Sequence, residues 1–130
     1  MAKSPLMFGG DVRNLDNATY DLITNEIVLE INSFSSNNME ACFPYVTNGA
    51  RSWIATGRDG EVYLAFFNVN TDQTEITAMT SDMAKVLPAK NLSSCMCHEL
   101  WSGRDCEVLK QSLSKAVASH GCELFIMFCS

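Results

Sequence analysis

The sequence has no excess of basic charge. Nine Lys and Arg stand against 15 Asp and Glu, for a formal net charge of -6. A nucleic-acid binder presents a basic face to phosphate, so no nucleic-acid partner is expected. No apolar run approaches the roughly 20 residues that span a bilayer, so no membrane partner is expected either. Residues 1–10 lack the long apolar core of a secretion signal, and the chain as given is expected to carry no secretion address. There is no internal repeat, no low-complexity tract and no flexible linker.

What is present is enough to fold. The 130 residues, 47% of them apolar, make one ordinary domain or a domain plus an appendage, with a core of real size. Six cysteines stand at Cys42, Cys95, Cys97, Cys106, Cys122 and Cys129. An even number fits three disulfides, whose pairing is one of 15, as in the tail of a secreted protein. The competing reading is free thiols in a reducing compartment.

The chain opens with an apolar, strand-like stretch, Leu6-Met7-Phe8, ended by Gly9-Gly10. Asp16 and Asn17 are good N-caps for a helix through Ile23, and Asn25 can cap a second short helix from Glu26 to Ile31. The run Asn32 to Glu40 is rich in Ser and Asn, which compete for backbone hydrogen bonds, and it reads as a loop. From Ser52 the grammar changes. Ser52–Thr56 is a short strand, and Asp59-Gly60 is a hairpin signal. Glu61–Asn70 is the strongest strand. Val62, Leu64 and Phe66 share one face and Tyr63, Ala65 and Phe67 the other, so it should be central and covered on both sides. Thr74–Thr80 follows as a third strand, then a polar stretch containing Pro88. Cys97–Gly103 reads as a strand ending in a turn, Ser112–Gly121 as an extended segment rather than a helix, and Cys122–Cys129 as a closing strand apolar on both faces. Short strands and turns at this density imply an antiparallel β-sandwich of Greek-key type. The boundary falls in the Asn32–Gly49 region, giving segments 1–49 and 50–130.

Four stretches in this order resemble the C-terminal part of the α-galactosidase (melibiase) family, glycoside hydrolase family 27. "SPLMFGGDVRNLDNATYDLITNEIVLEIN" looks like the last strand and helices of that family's (β/α)8 barrel. "DGEVYLAFFNVN" is similar to its strand ending in Phe-Asn. "ELWSG" matches its pattern of an acid before Leu-Trp-Ser-Gly, and "HGCELFIMFC" its closing strand. Plant members look most alike. After "EIN" the family usually continues Gln-Asp-Pro-Leu-Gly, whereas here Ser33-Phe34-Ser35-Ser36 follows. The resemblance implies that the strand–helix opening is a remnant of the last barrel unit and the rest a C-terminal sandwich. It implies a partner, the catalytic barrel of the parent enzyme, and a secreted, cell-wall or vacuolar location for full-length members. In the family the two catalytic carboxylates are aspartates on earlier strands, without counterparts here. A retaining glycosidase needs two carboxyl groups about 5 Å apart. The chain alone is therefore expected to be inactive, with no catalytic residue, no cofactor and no metal.

Four candidate sites are weighed against plainer roles. Asp11 and Arg13 follow a barrel-type strand, at the end where barrel active sites form, and would lie near a sugar; the plainer role is a salt bridge holding the turn. Cys95, Cys97 and His98 suggest zinc, but four ligands are needed and Cys106 and His120 have no recognised spacing, so disulfides to other strands are preferred. His120 with Cys122 or Cys129 could suggest nucleophilic catalysis, but a structural His is the better reading. Trp53, Tyr63 and Trp101 could stack on a sugar, and all three are read as core, Trp101 being the most exposed candidate. The functional expectation is a non-catalytic accessory sandwich. The alternatives are a free-standing carbohydrate-binding or interaction module and a thiol or zinc protein. A corollary is that residues 1–32, lacking barrel partners, should be disordered, loosely docked or an exposed apolar patch.

Overall fold

The strands form where apolar residues recur at every second position, and their pairing builds two antiparallel sheets. The computed structural model describes residues 4–41, 49–88, 91–92, 94–109 and 111–129, with 107–109 described by backbone alone. The elements in chain order are α1 (Asn17–Ile23), α2 (Glu26–Phe34), β1 (Ser36–Glu40), β2 (Ala50–Thr56), β3 (Val62–Asn68), β4 (Thr74–Met79), α3 (Thr80–Val86), β5 (Cys95–Glu99), β6 (Arg104–Leu109), β7 (Ser112–Val117) and β8 (Cys122–Cys129). The larger sheet has the order β1-β2-β3-β8-β5-β6, and β4 pairs with β7 in the smaller one.

β3 is interior to the larger sheet and nearly all buried, as its two apolar faces require. Val62, Leu64 and Phe66 join Ile54, Phe125 and Met127 in a core closed by Ile76 and Ala78 of β4, Leu113 and Val117 of β7, and Met83 of α3. Phe66 and Phe125 meet edge to face, centroids 5.4 Å apart. The opposite face of the sheet carries Ala55, Tyr63, Leu100 and Ile126, and Ile31 of α2 is buried against them with Val28 beside it. The six-stranded sheet is thus covered by the small sheet and α3 on one side and by α2 on the other.

Asn68, the last residue of β3, fastens the two sheets where the chain crosses between them. Its buried side-chain amide donates to the carbonyls of Asp72 (2.8 Å), Val117 (3.0 Å) and Ala118 (3.1 Å). Its Oδ1 accepts from the Asn70 amide at 3.0 Å. The departure β3→β4 and the return β7→β8 therefore share one anchor.

Several elements differ from the sequence expectations. Asn32–Glu40 is not a loop: α2 runs on to Phe34, since no proline interrupts it, and β1 follows. β1 lacks apolar alternation because it is an exposed edge strand, held by hydroxyl and amide groups: Ser36 Oγ and Asn37 Nδ2 lie 2.9 and 3.0 Å from Thr56 Oγ1. The sheet thus draws its first strand from within the 1–49 segment. The polar stretch after β4 begins with α3, and β6 is a charged strand that the pattern did not reveal. Leu6-Met7-Phe8 is no strand; it has no sheet partner among the described residues and is exposed, Met7 at 86%.

Candidate functional site

The helix pair and the sheet meet around one turn. Both helices begin at the expected caps. Asp16 accepts from the Thr19 amide at 2.7 Å, and Asn25 Oδ1 accepts from the Ile27 and Val28 amides at 3.0 and 3.1 Å. The far end of α2 is clasped by Arg58 from the β2–β3 turn, whose Nε lies 2.7 Å from Glu30 Oε1 and whose guanidinium sits 4.2 Å above the Phe34 ring.

The turn after β5 carries Trp101. Glu99, only 3% exposed, accepts hydrogen bonds from the Trp101 amide (2.7 Å) and the Ser102 amide (2.8 Å). Gly103 closes the turn at φ +65°, a left-handed conformation that suits glycine. Burial pushes the Glu99 carboxyl up, but the hydrogen bonds from Ser102 and the Trp101 amide outweigh it and leave the group below its ordinary value. Trp101 Nε1 donates to the Cys122 carbonyl at 3.0 Å. Trp101 is not core as expected. It is 41% exposed, because it stands at the rim of two clefts instead of under a layer. One, of about 180 Å³, lies between α2 and the sheet and is lined by Val28, Ile31, Phe67, Trp101 and Leu124 among others. The second, about 330 Å³, lies against α1 and includes Ala18, Leu22 and Leu100.

The other sequence candidates lie apart from this junction. Asp11 and Arg13 bond each other, Arg13 Nε to Oδ1 and a terminal guanidinium nitrogen to Oδ2, both at 3.0 Å, and both side chains are largely exposed. The Arg13 side chain is the main cause that holds the Asp11 carboxyl below its usual range. Cys95 and Cys97 point to the same inner face and are bonded outward in opposite directions, Cys95 to Cys129 of β8 and Cys97 to Cys106 of β6. Each pair sits directly opposite in register. With both sulfurs in disulfides, the zinc reading of Cys95, Cys97 and His98 has no thiolates to use, and His98 Nδ1 instead lies 2.9 Å from Asp105 Oδ1. No group of three potential metal ligands occurs among the described residues. Cys42 lies outside the described residues. Cys122, expected in a disulfide, is instead a free, exposed thiol whose pKa is pushed up, by burial first and then by Glu123, so it is a poor nucleophile. His120 is a turn residue at φ +51°, its amide donating to the Asn70 carbonyl. Trp53 is half-buried in β2 and Tyr63 is buried, its hydroxyl donating to Glu61 at 2.5 Å. Sequence reasoning missed the role of Glu99; the acid two and three residues before Trp101 and Ser102 was its only signal.

Residues 47–127 match the family model of the alpha galactosidase C-terminal beta sandwich domain. An α-galactosidase of Cyamopsis tetragonoloba is 24% identical over 127 residues, 98% of this chain and 30% of that protein. Among solved structures, a putative α-N-acetylgalactosaminidase of Bacillus halodurans superposes with TM-score 0.85 at 27% identity, covering 98% of this chain and 28% of that one. A glycoside hydrolase family 27 β-L-arabinopyranosidase of Geobacillus stearothermophilus gives 0.83 at 25%, covering 96% and 27%. The chain spans about a third or less of the length of these relatives. The match over residues 47–127, more than half of the chain, shows that this chain belongs to the family of α-galactosidase C-terminal β-sandwich domains.

Proposed function

We propose that this chain is the non-catalytic sandwich of a glycoside hydrolase, and that it supports a catalytic barrel by docking it through the helix pair. The observation that carries the reading is the asymmetry of residues 4–34. One side of α2 is buried on the sheet through Ile31, while Leu6, Met7, Phe8, Val12, Tyr20 and Leu22 are exposed. Large apolar side chains left exposed along one segment fit a face that another body covers. Asp11 and Arg13 would lock the turn before α1 in this scheme rather than touch sugar. Substrate choice would lie in the barrel, since relatives named for three different sugars share this sandwich.

The test is complementation. The Cyamopsis α-galactosidase, cut back to remove the part matched by this chain, would be mixed with the chain and examined by sedimentation and by hydrolysis of an aryl α-galactoside. The expected result is a one-to-one complex with recovered activity. Two folded species that never associate would overturn the reading.

A second reading, a carbohydrate-binding module, is favoured by the half-exposed Trp101 beside its cleft of about 180 Å³. Amide NMR shifts on adding galactose, then arabinose, separate the two. Saturable shifts clustered at Trp101 or Asp11 would replace the docking reading with this one.

A further inference from the structure

β5 and β8 bring two glutamates together that lie far apart in the chain. Glu99 is paired in register with Phe125, so Glu123 is its diagonal neighbour on the inner face, and Leu100 donates its amide to the Leu124 carbonyl between them at 2.9 Å. Glu99 is the carboxylate that caps the Trp101 turn. We propose that Glu99 and Glu123 share a proton in mild acid, and that this pairing fastens the Trp101 turn, and with it the helix pair, more tightly in acid than at neutral pH.

The surroundings favour a shared proton over two anions. Among the described residues, the cations near the pair are Lys115 of β7, whose Nζ stands 4.0 Å from Glu123 Oε2, and Arg104 of β6, which faces Glu99 in register. Both line an open cleft of about 480 Å³, and the Lys115 contact, at 4.0 Å, is longer than a direct hydrogen bond. Asp105 also lines that cleft, but its Oδ1 is engaged 2.9 Å from His98 Nδ1. Cys122 precedes Glu123, and Asp21 of α1 lies beside Trp101. The helix residues at the sheet cleft, Val28, Ile31 and Asn32, carry no charge.

When Glu123 is protonated, its O–H can donate to the Glu99 carboxylate, which still accepts both turn amides. When both groups are ionised they repel within a partly desolvated site. Burial first, and Glu99 as a further cause, hold the Glu123 carboxyl above its ordinary value. The sign follows from linkage. A carboxyl raised on folding favours the fold below its unfolded value of roughly 4.3 and loses that contribution as pH climbs through its folded value. Glu99, held low, contributes above the ordinary value and loses it only in stronger acid. The two together place the tightest turn in mild acid. This inference goes beyond barrel docking and stands or falls separately from it.

The experiment is urea unfolding of the full chain between pH 4.5 and 7.5 for wild type and Glu123→Gln, with Trp101 emission followed in a Trp53→Phe background. Glutamine donates at every pH. The variant is expected to have the higher urea midpoint at pH 7.5 and to lose this advantage by pH 4.5, and wild-type Trp101 emission should shift to the red as pH rises. An equal loss of midpoint at both pH values, or a wild-type emission indifferent to pH, would overturn the proposal. Should the variant fail to fold, side-chain carboxyl carbon shifts of the wild type decide. Coupled titration of Glu99 and Glu123, with one midpoint above the usual range, supports it, and two independent ordinary curves overturn it.

Discussion

Removing the Asn68 amide should be the most informative perturbation of this fold. Its NH₂ carries two protons and reaches three carbonyls, so one bond is shared, and its oxygen takes a fourth contact from the Asn70 amide. A net hydrogen bond is worth about 1 kcal/mol, and carbonyls left unpaired in a buried site cost more. Asn68→Ala should therefore lose about 3–4 kcal/mol, a large share of the roughly 5–15 kcal/mol that holds a domain together. The assay is urea unfolding followed by far-UV circular dichroism, with amide exchange along β4 and β7. Exchange there should rise well beyond that in β3, since the anchor joins the small sheet to the large one. Asn68→Asp is the sharper variant. A carboxylate has the same shape but no proton to donate, and it faces three carbonyl oxygens with a negative charge. It should be less stable than the alanine variant at pH 7 and recover part of the loss in acid, when it regains one donor. If Asn68→Ala costs under about 1 kcal/mol, or the aspartate is as stable as wild type at pH 7, the anchor is not what holds the sheets together.

Two further perturbations test the other joints. Ile31→Ala removes the side chain by which α2 is buried on the sheet and should cost about 2–4 kcal/mol, read by urea unfolding, with α2 amides exchanging far faster than β3. An unchanged midpoint would mean the helix is held from elsewhere. The disulfide Cys95–Cys129 spans 34 residues and Cys97–Cys106 spans 9, so chain-entropy reasoning gives losses of about 4 and about 2.5 kcal/mol when each pair is replaced by serine. Non-reducing peptide mapping checks the pairing, and the reverse order of losses would argue against it.

The parts of this fold legible in sequence are those whose residues answer to one local rule. β3 shows its place because both faces are apolar, which only an interior strand can afford. Asp16 and Asn25 announce helix starts because a cap acts on amides two or three residues ahead. β1 and β6 stay hidden because edge strands are polar on exposed positions and look like loops until a neighbour is in place. Leu6-Met7-Phe8 misleads for the opposite reason: it is apolar, but no strand among the described residues pairs with it. The candidate site divides the same way. Trp101 stands out in "ELWSG", yet its half-exposed position depends on α1 and α2, some 70 or more residues earlier in the chain. Glu99 and Glu123 become diagonal neighbours through β5–β8 pairing alone, and no local pattern joins them. Local rules therefore place the interior strands of the sandwich, but not its edge strands or the junction on its outer face. That junction is made by contacts across the whole chain, and its exposed apolar side is the surface on which a function by docking has to be tested.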